Sequence, residues 1–212
     1  MFDNMQFNSE MLTMFLELIG TFAFAISGIR LAAAKDFDLF GAYVVGWVTA
    51  IGGGTIRDIC LGMTPFWMLN GSYMVWTAVA LVFVIVFRKH LIRLNNTFFI
   101  FDTIGLALFT VVGIEKTIEC GFPFWVAILM GTITGSAGGI IRDIFINQIP
   151  LIFRKEIYAM ASVVGGIVYY FCLQISPDST IIQLVSASSV AFTRIIAVKF
   201  QIGLPHIGNE NS

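Results

Sequence analysis

The sequence contains a second copy of itself. From Glu17/Asp102 to Pro65/Pro150, residues 85 positions apart correspond without a gap. Identical pairs in this register include Ile19/Ile104, Gly20/Gly105, Phe24/Phe109, Gly28/Gly113, Ile29/Ile114, Phe37/Phe122, Ala42/Ala127, Gly46/Gly131 and Thr49/Thr134. The same register aligns Gly52-Gly53-Gly54-Thr55-Ile56-Arg57-Asp58 with Ala137-Gly138-Gly139-Ile140-Ile141-Arg142-Asp143. A duplicated chain builds two similar halves, so every structural demand on one half recurs in the other.

Composition identifies the solvent. Apolar residues make up 58% of the 212 and charged residues 12%, with mean hydropathy +0.88. Globular domains carry about 25% charged and about 45–50% apolar residues, so these charges are too few to coat a soluble particle. Spanning about 30 Å of hydrocarbon takes roughly 20 mainly apolar residues in a helix. Seven runs qualify, at about 11–31, 39–56, 73–87, 98–114, 123–141, 157–173 and 180–197. The expectation is an all-α integral membrane protein with seven transmembrane helices in a single domain, residues 1–212. Cys60, Cys120 and Cys172 are scattered without a Cys-x-x-Cys pair, as suits buried free thiols rather than a metal site or disulfides.

Charge sets the orientation. With the N-terminus on one side and the chain alternating, that side holds only Arg57 and Lys116. The other side holds Arg30, Lys35, Arg88, Lys89, Arg93, Arg142, Arg154, Lys155, Arg194 and Lys199. The positive-inside rule then puts the N-terminus outside and the C-terminus in the cytoplasm. Met1–Glu10 carries acids and no Lys or Arg, so no cleavable signal is expected there. The cluster Arg88-Lys89-His90-Arg93 reads as the positive flank, with contact to anionic lipid heads as the alternative.

Each copy supplies three runs, repeat one over about 11–90 and repeat two over about 98–173. Three is odd, so the second copy must enter the membrane from the opposite side. The halves are expected to be inverted about an axis in the membrane plane, an arrangement that transporters use to form central sites. The seventh run, about 180–197, has no counterpart. Its Ser186, Ser188 and Ser189 suit close helix contact, either closing the bundle or joining subunits.

The polar residues define the candidate site. Gly52, Gly53 and Gly54, with Ala137, Gly138 and Gly139, invite a kink or unwinding, and freed backbone groups then have to line a wet path. Close helix packing is the alternative. Arg57-Asp58 and Arg142-Asp143 are costly at membrane depth and need partners. Neighbours on one helix point about 100° apart, so crossed pairing is expected, Arg57 with Asp143 and Arg142 with Asp58, or pairing to carbonyls freed at the glycines. Anchoring at the interface is the other reading. Glu17 and Asp102 can attract cations, relay protons or neutralise an arginine. Pro65 and Pro150 are expected to set the loops entering the third and sixth helices.

Other classes find little footing. His90 and His206 fall in a flank and a tail, away from any intramembrane catalytic or zinc site. The glycines are not followed by Gly-Lys-Ser/Thr, as a phosphate loop requires. No basic face suits nucleic acid. No enzyme activity, metal or cofactor is expected.

Duplicated three-helix repeats, the two glycine-rich motifs at 52–58 and 138–143 and a seventh helix resemble the bacterial trimeric intracellular cation (TRIC) channels. The resemblance runs over about residues 11–200. It implies a homotrimer in the cell inner membrane, with one potassium-permeable pore per subunit between the repeats. Helices two and five bend at the glycines, and the N-terminus lies outside. Potassium is the implied permeant ion, with sodium as the alternative. Thr49, Thr134 and the freed glycine carbonyls would then replace part of the hydration shell, with Glu17, Asp58, Asp102 and Asp143 keeping the potential negative. Arg57 and Arg142 would be paired or act as gates. Two departures stand out: Ala137 replaces a third glycine, and the Lys-Glu-Val motif of animal members is absent. Some bacterial relatives are linked to glycine uptake, which keeps an amino-acid transporter as the alternative function. A structural membrane subunit without transport is a third class.

Overall fold

Long apolar runs with few breakers form helices, and local chemistry sets their ends. The computed structural model describes residues 2–93, 97–154, 157–176 and 178–203, with the side chains of 2–10, 89, 90, 92 and 93 excepted. His90, His206, Lys155 and most of the Arg88-Lys89-His90-Arg93 cluster therefore lie outside what is described. The elements are α1 (Phe2–Ala33), α2 (Leu39–Cys60), α3 (Phe66–Leu69), α4 (Ser72–Arg93), α5 (Thr97–Glu119), α6 (Phe124–Phe145), α7 (Ala159–Ile175) and α8 (Ser179–Lys199). A 3₁₀ turn, Leu151–Phe153, precedes α7.

The caps repeat with the sequence. α1 and α5 each end on a left-handed residue, Asp36 at φ 58° and Gly121 at φ 78°. α2 and α6 end the same way, on Gly62 at φ 73° and Asn147 at φ 54°. These residue types tolerate that conformation best. Behind them, the Met63 and Gln148 amides donate to the carbonyls of Asp58 and Asp143, each at 2.8 Å. The Asp38 carboxylate caps α2 by accepting from the Gly41 amide at 2.7 Å, and Asp178 caps α8 through the Thr180 amide at 2.9 Å.

The centre is built from α1, α2, α5 and α6, with α4 against α1 and α2, and α7 against α6. α2 and α6 cross antiparallel where their glycines meet. A Cβ on Gly53 would lie 2.0 Å from the Thr134 carbonyl oxygen, and one on Gly138 would lie 2.2 Å from that of Thr49. Only glycine permits this approach. α1 and α5 also cross antiparallel, with Phe24 stacked on Phe109 at 5.4 Å and each ring seated on the other helix's glycine, Gly105 or Gly20.

The glycine motifs do not unwind. α2 remains α-helical through Gly52–Gly54, and α6 through Ala137–Gly139. A broken turn would strand peptide groups away from water, whereas the close crossing keeps them bonded and gains packing. The Thr49 and Thr134 hydroxyls likewise donate to their own helices, to the carbonyls of Val45 and Met130 at 2.6 Å.

α8 packs on α5 and α7. Its Ser186 hydroxyl donates to the Gly165 carbonyl at 2.9 Å, the close contact that its small residues lead one to expect, while Ser188 is exposed. Outward faces carry large apolar side chains, among them Val75, Val82 and Val86 on α4 and Leu184 and Phe192 on α8.

Candidate functional site

Two buried charge clusters lie on either side of the α2–α6 crossing, one at the C-terminal end of each helix. The first gathers Glu17 of α1, Arg57 and Asp58 of α2, Tyr73 of α4 and Lys116 of α5. Both the Nε and Nη2 of Arg57 reach Asp58 Oδ1, at 2.8 and 2.7 Å. The other oxygen of Asp58 accepts the Phe66 amide at 2.8 Å, which ties α3 to the end of α2. Glu17 Oε1 meets Lys116 Nζ at 2.5 Å and Arg57 Nη2 at 3.8 Å. Tyr73 OH donates to Glu17 Oε2 at 2.8 Å.

The second cluster repeats this plan 85 residues on. Arg142 Nε and Nη2 reach Asp143 Oδ1, both at 2.8 Å, and Asp143 Oδ2 accepts the Leu151 amide at 3.0 Å. Arg142 Nη1 bonds Asp102 at 2.6 Å and the Ser27 hydroxyl at 2.8 Å. Tyr158 OH faces Asp102 at 3.5 Å, and Arg194 of α8 approaches the other Asp102 oxygen at 3.4 Å. Arg57 and Arg142 have no exposed surface, and Glu17, Asp58, Asp102 and Asp143 are buried.

The crossed pairing expected between the motifs does not occur. Each arginine instead folds along its own helix and grips the next residue with two nitrogens. A three-methylene stem spans the angular gap that a shorter side chain could not, and the charge-assisted bond from Nε to Oδ1 is strong. The motifs sit at opposite ends of antiparallel helices, so crossed partners are out of reach. Glu17 and Asp102 take the neutralising role, each beside its own repeat's arginine.

Several members of the clusters were not foreseen. Tyr73 and Tyr158 continue the 85-residue register beyond Pro65/Pro150, and this identity was the signal that could have found them. Lys116 and Arg194 are not a register pair; they entered the sequence reading only as flank charges. Aromatic faces support the cations. Phe66 lies beneath Arg57 and Lys116 at 5.7 and 5.6 Å, Phe98 beneath Arg142 at 4.7 Å, and Tyr158 beneath Arg194 at 4.6 Å. Each cluster opens to a cavity. One of about 190 Å³ is lined by Asp58, Phe66, Lys116 and Glu119, and one of about 450 Å³ by Phe98, Leu151, Arg154, Arg194 and Lys199. Among the described residues, no group of His, Cys, Asp and Glu is arranged to hold a metal ion.

Among the described residues, five helices are long and apolar enough to cross a bilayer, and they enclose ion pairs that hydrocarbon alone cannot solvate. These features define a multi-pass membrane protein. The family model described as glycine transporter matches it twice, over residues 14–89 and 99–174, again 85 apart. The UPF0126 inner membrane protein YadS of Escherichia coli is 38% identical over 92% of this chain and 96% of its own length. The TRIC trimeric intracellular cation channel orthologue from Rhodobacter sphaeroides superposes with TM-score 0.85 at 30% identity, over 90% of this chain and 99% of that one. A prokaryotic TRIC channel in 0.5 M KCl gives 0.84 at 31%, over 92% and 100%. The chain belongs to the family that this model defines, and among solved structures it belongs with the bacterial TRIC channels.

Proposed function

We propose that the protein is a potassium-permeable monovalent cation channel of the inner membrane, a homotrimer with one path per subunit. Seven spanning helices form it: α1, α2 and α4 as one repeat, α5, α6 and α7 as its inverted copy, and α8 as the unpaired seventh. The N-terminus faces outward and the C-terminus the cytoplasm, as the charge asymmetry requires. Cations pass between the repeats. The α2–α6 crossing, where Gly53 and Gly138 pack against the opposite helix, is the constriction. Glu17 and Asp58 on the outer side, and Asp102 and Asp143 on the inner, are the carboxylates a cation meets when their basic partners give way. Thr49 and Thr134 present carbonyl oxygens at the crossing, available to an ion when the helices part. Arg57 and Arg142 anchor the acids rather than face the ion bare.

The observation that carries this reading is the mirrored pair of neutralised acid clusters around one crossing. Support also comes from similarity to solved structures described as TRIC cation channels and as trimeric. Potassium-loaded proteoliposomes test it. The protein is expected to release K⁺ rapidly when valinomycin-free vesicles are given an exchangeable external cation, with chloride retained. A release rate equal to that of empty vesicles contradicts it.

A second reading, uptake of glycine, is favoured by one feature. Nη1 of Arg57 is buried without a hydrogen-bond partner among the described residues, a donor suited to a carboxylate. Saturable accumulation of labelled glycine, lost in Arg57→Lys, would move the assignment to a transporter.

A further inference from the structure

We infer that Lys116 is a tethered counter-cation that latches the first cluster shut, holding the place a permeant cation takes when the path opens. The inference rests on the channel reading above and concerns its regulation.

Charge is the first ground. Glu17 and Asp58 carry two negative charges, set against Arg57 and Lys116, and Glu119 adds a third acid on the cavity wall. Taking Lys116 away leaves an uncompensated negative charge beside Glu17 that a monovalent cation offsets. The second ground is chemistry. The ammonium sits against a carboxylate oxygen of Glu17 at 2.5 Å and over the Phe66 face at 5.6 Å, surroundings that suit a small cation.

Mobility is the third. The second cluster is balanced by Arg194, whose side chain is 1% exposed and lies over Tyr158 at 4.6 Å and Phe99 at 5.2 Å. Lys116 is 22% exposed and lines the cavity of about 190 Å³ together with Asp58 and Glu119. A lysine is a compact charge on a flexible stem, able to swing into that cavity without unstacking a guanidinium. One cluster therefore has a fixed counter-cation and the other a movable one. Lys116 also comes from the second repeat while Glu17 and Asp58 belong to the first, so the ion pair clamps the two repeats together.

Planar bilayers holding wild type, Lys116→Met and Lys116→Arg test the latch. Losing a partly exposed ion pair is worth up to about a kcal/mol, so open probability is expected to rise roughly fivefold in Lys116→Met. Lys116→Arg, which keeps the charge but stacks a guanidinium on Phe66, should open less often than wild type. Equal open probability and unitary conductance in wild type and Lys116→Met overturn the latch while leaving the channel standing. If neither conducts, the channel reading fails, and thallium-soaked crystals decide the latch separately. Tl⁺ beside Glu17 in Lys116→Met and not in wild type upholds it; an empty position in both overturns it.

Discussion

At the scale of single residues, the two Arg-Asp motifs are structural before they are functional. Arg142 serves Asp102, Asp143 and Ser27 at once, from full burial. Removing its charge leaves Asp143 without its ion-pair partner and Asp102 facing Arg194 at 3.4 Å. Breaking a buried pair costs about 3–5 kcal/mol. Arg142→Met is therefore expected to lower the thermal unfolding midpoint in detergent sharply. Arg142→Lys should recover little, because one ammonium cannot reproduce a forked set of donors. A midpoint unchanged in Arg142→Met would show that the cluster does not hold the fold. The need for partners was legible from the cost of charge in hydrocarbon. Which partners was not, because side-chain reach is decided by how the helices run, and the motifs end up at opposite ends of the bundle. Phe66 and Leu151, whose amides bond Asp58 and Asp143, gave no sequence signal beyond following the matched prolines.

At the scale of elements, the glycines work by absence of bulk. Gly53 and Gly138 each face a carbonyl on the other helix at a distance no Cβ can share. Gly53→Ala and Gly138→Ala are each expected to destabilise by about 1–3 kcal/mol through overpacking, read as a lowered unfolding midpoint. Gly71→Ala is the control, since a Cβ there meets nothing within 4 Å among the described residues. Equal effects at Gly53 and Gly71 would contradict the crossing. The seven apolar runs each fall on a helix, so run length and apolarity located these elements well. Their ends were less legible. α2 continues past the apolar run to Cys60 because the Arg57–Asp58 contact makes the charged turn affordable as helix. The short α3 and the turn at Leu151–Phe153 have too few residues for any period to register. Unwinding at the glycines was the wrong inference from a true premise: glycine permits a break, and membrane burial forbids it unless water or protein replaces the lost bonds.

At the scale of the whole molecule, duplication explains the architecture and α8 breaks its symmetry. C-terminal helix caps, acid clusters, tyrosines and the Phe24/Phe109 pair recur at 85 residues, so the chain presents similar chemistry on either side of the α2–α6 crossing. The unpaired helix supplies Arg194 to one cluster, whereas the other receives Lys116 from within the duplicated part. The two clusters are thus alike in plan and differ in their second cation, a buried arginine in one and a partly exposed lysine in the other. The central claim is that cations cross between the inverted halves. Its most direct test is single-channel recording of purified protein in a planar bilayer under a potassium gradient. Discrete current steps reversing near the potassium equilibrium potential are the predicted result. Steps reversing near the chloride potential, or a membrane that stays silent at every voltage, would contradict it.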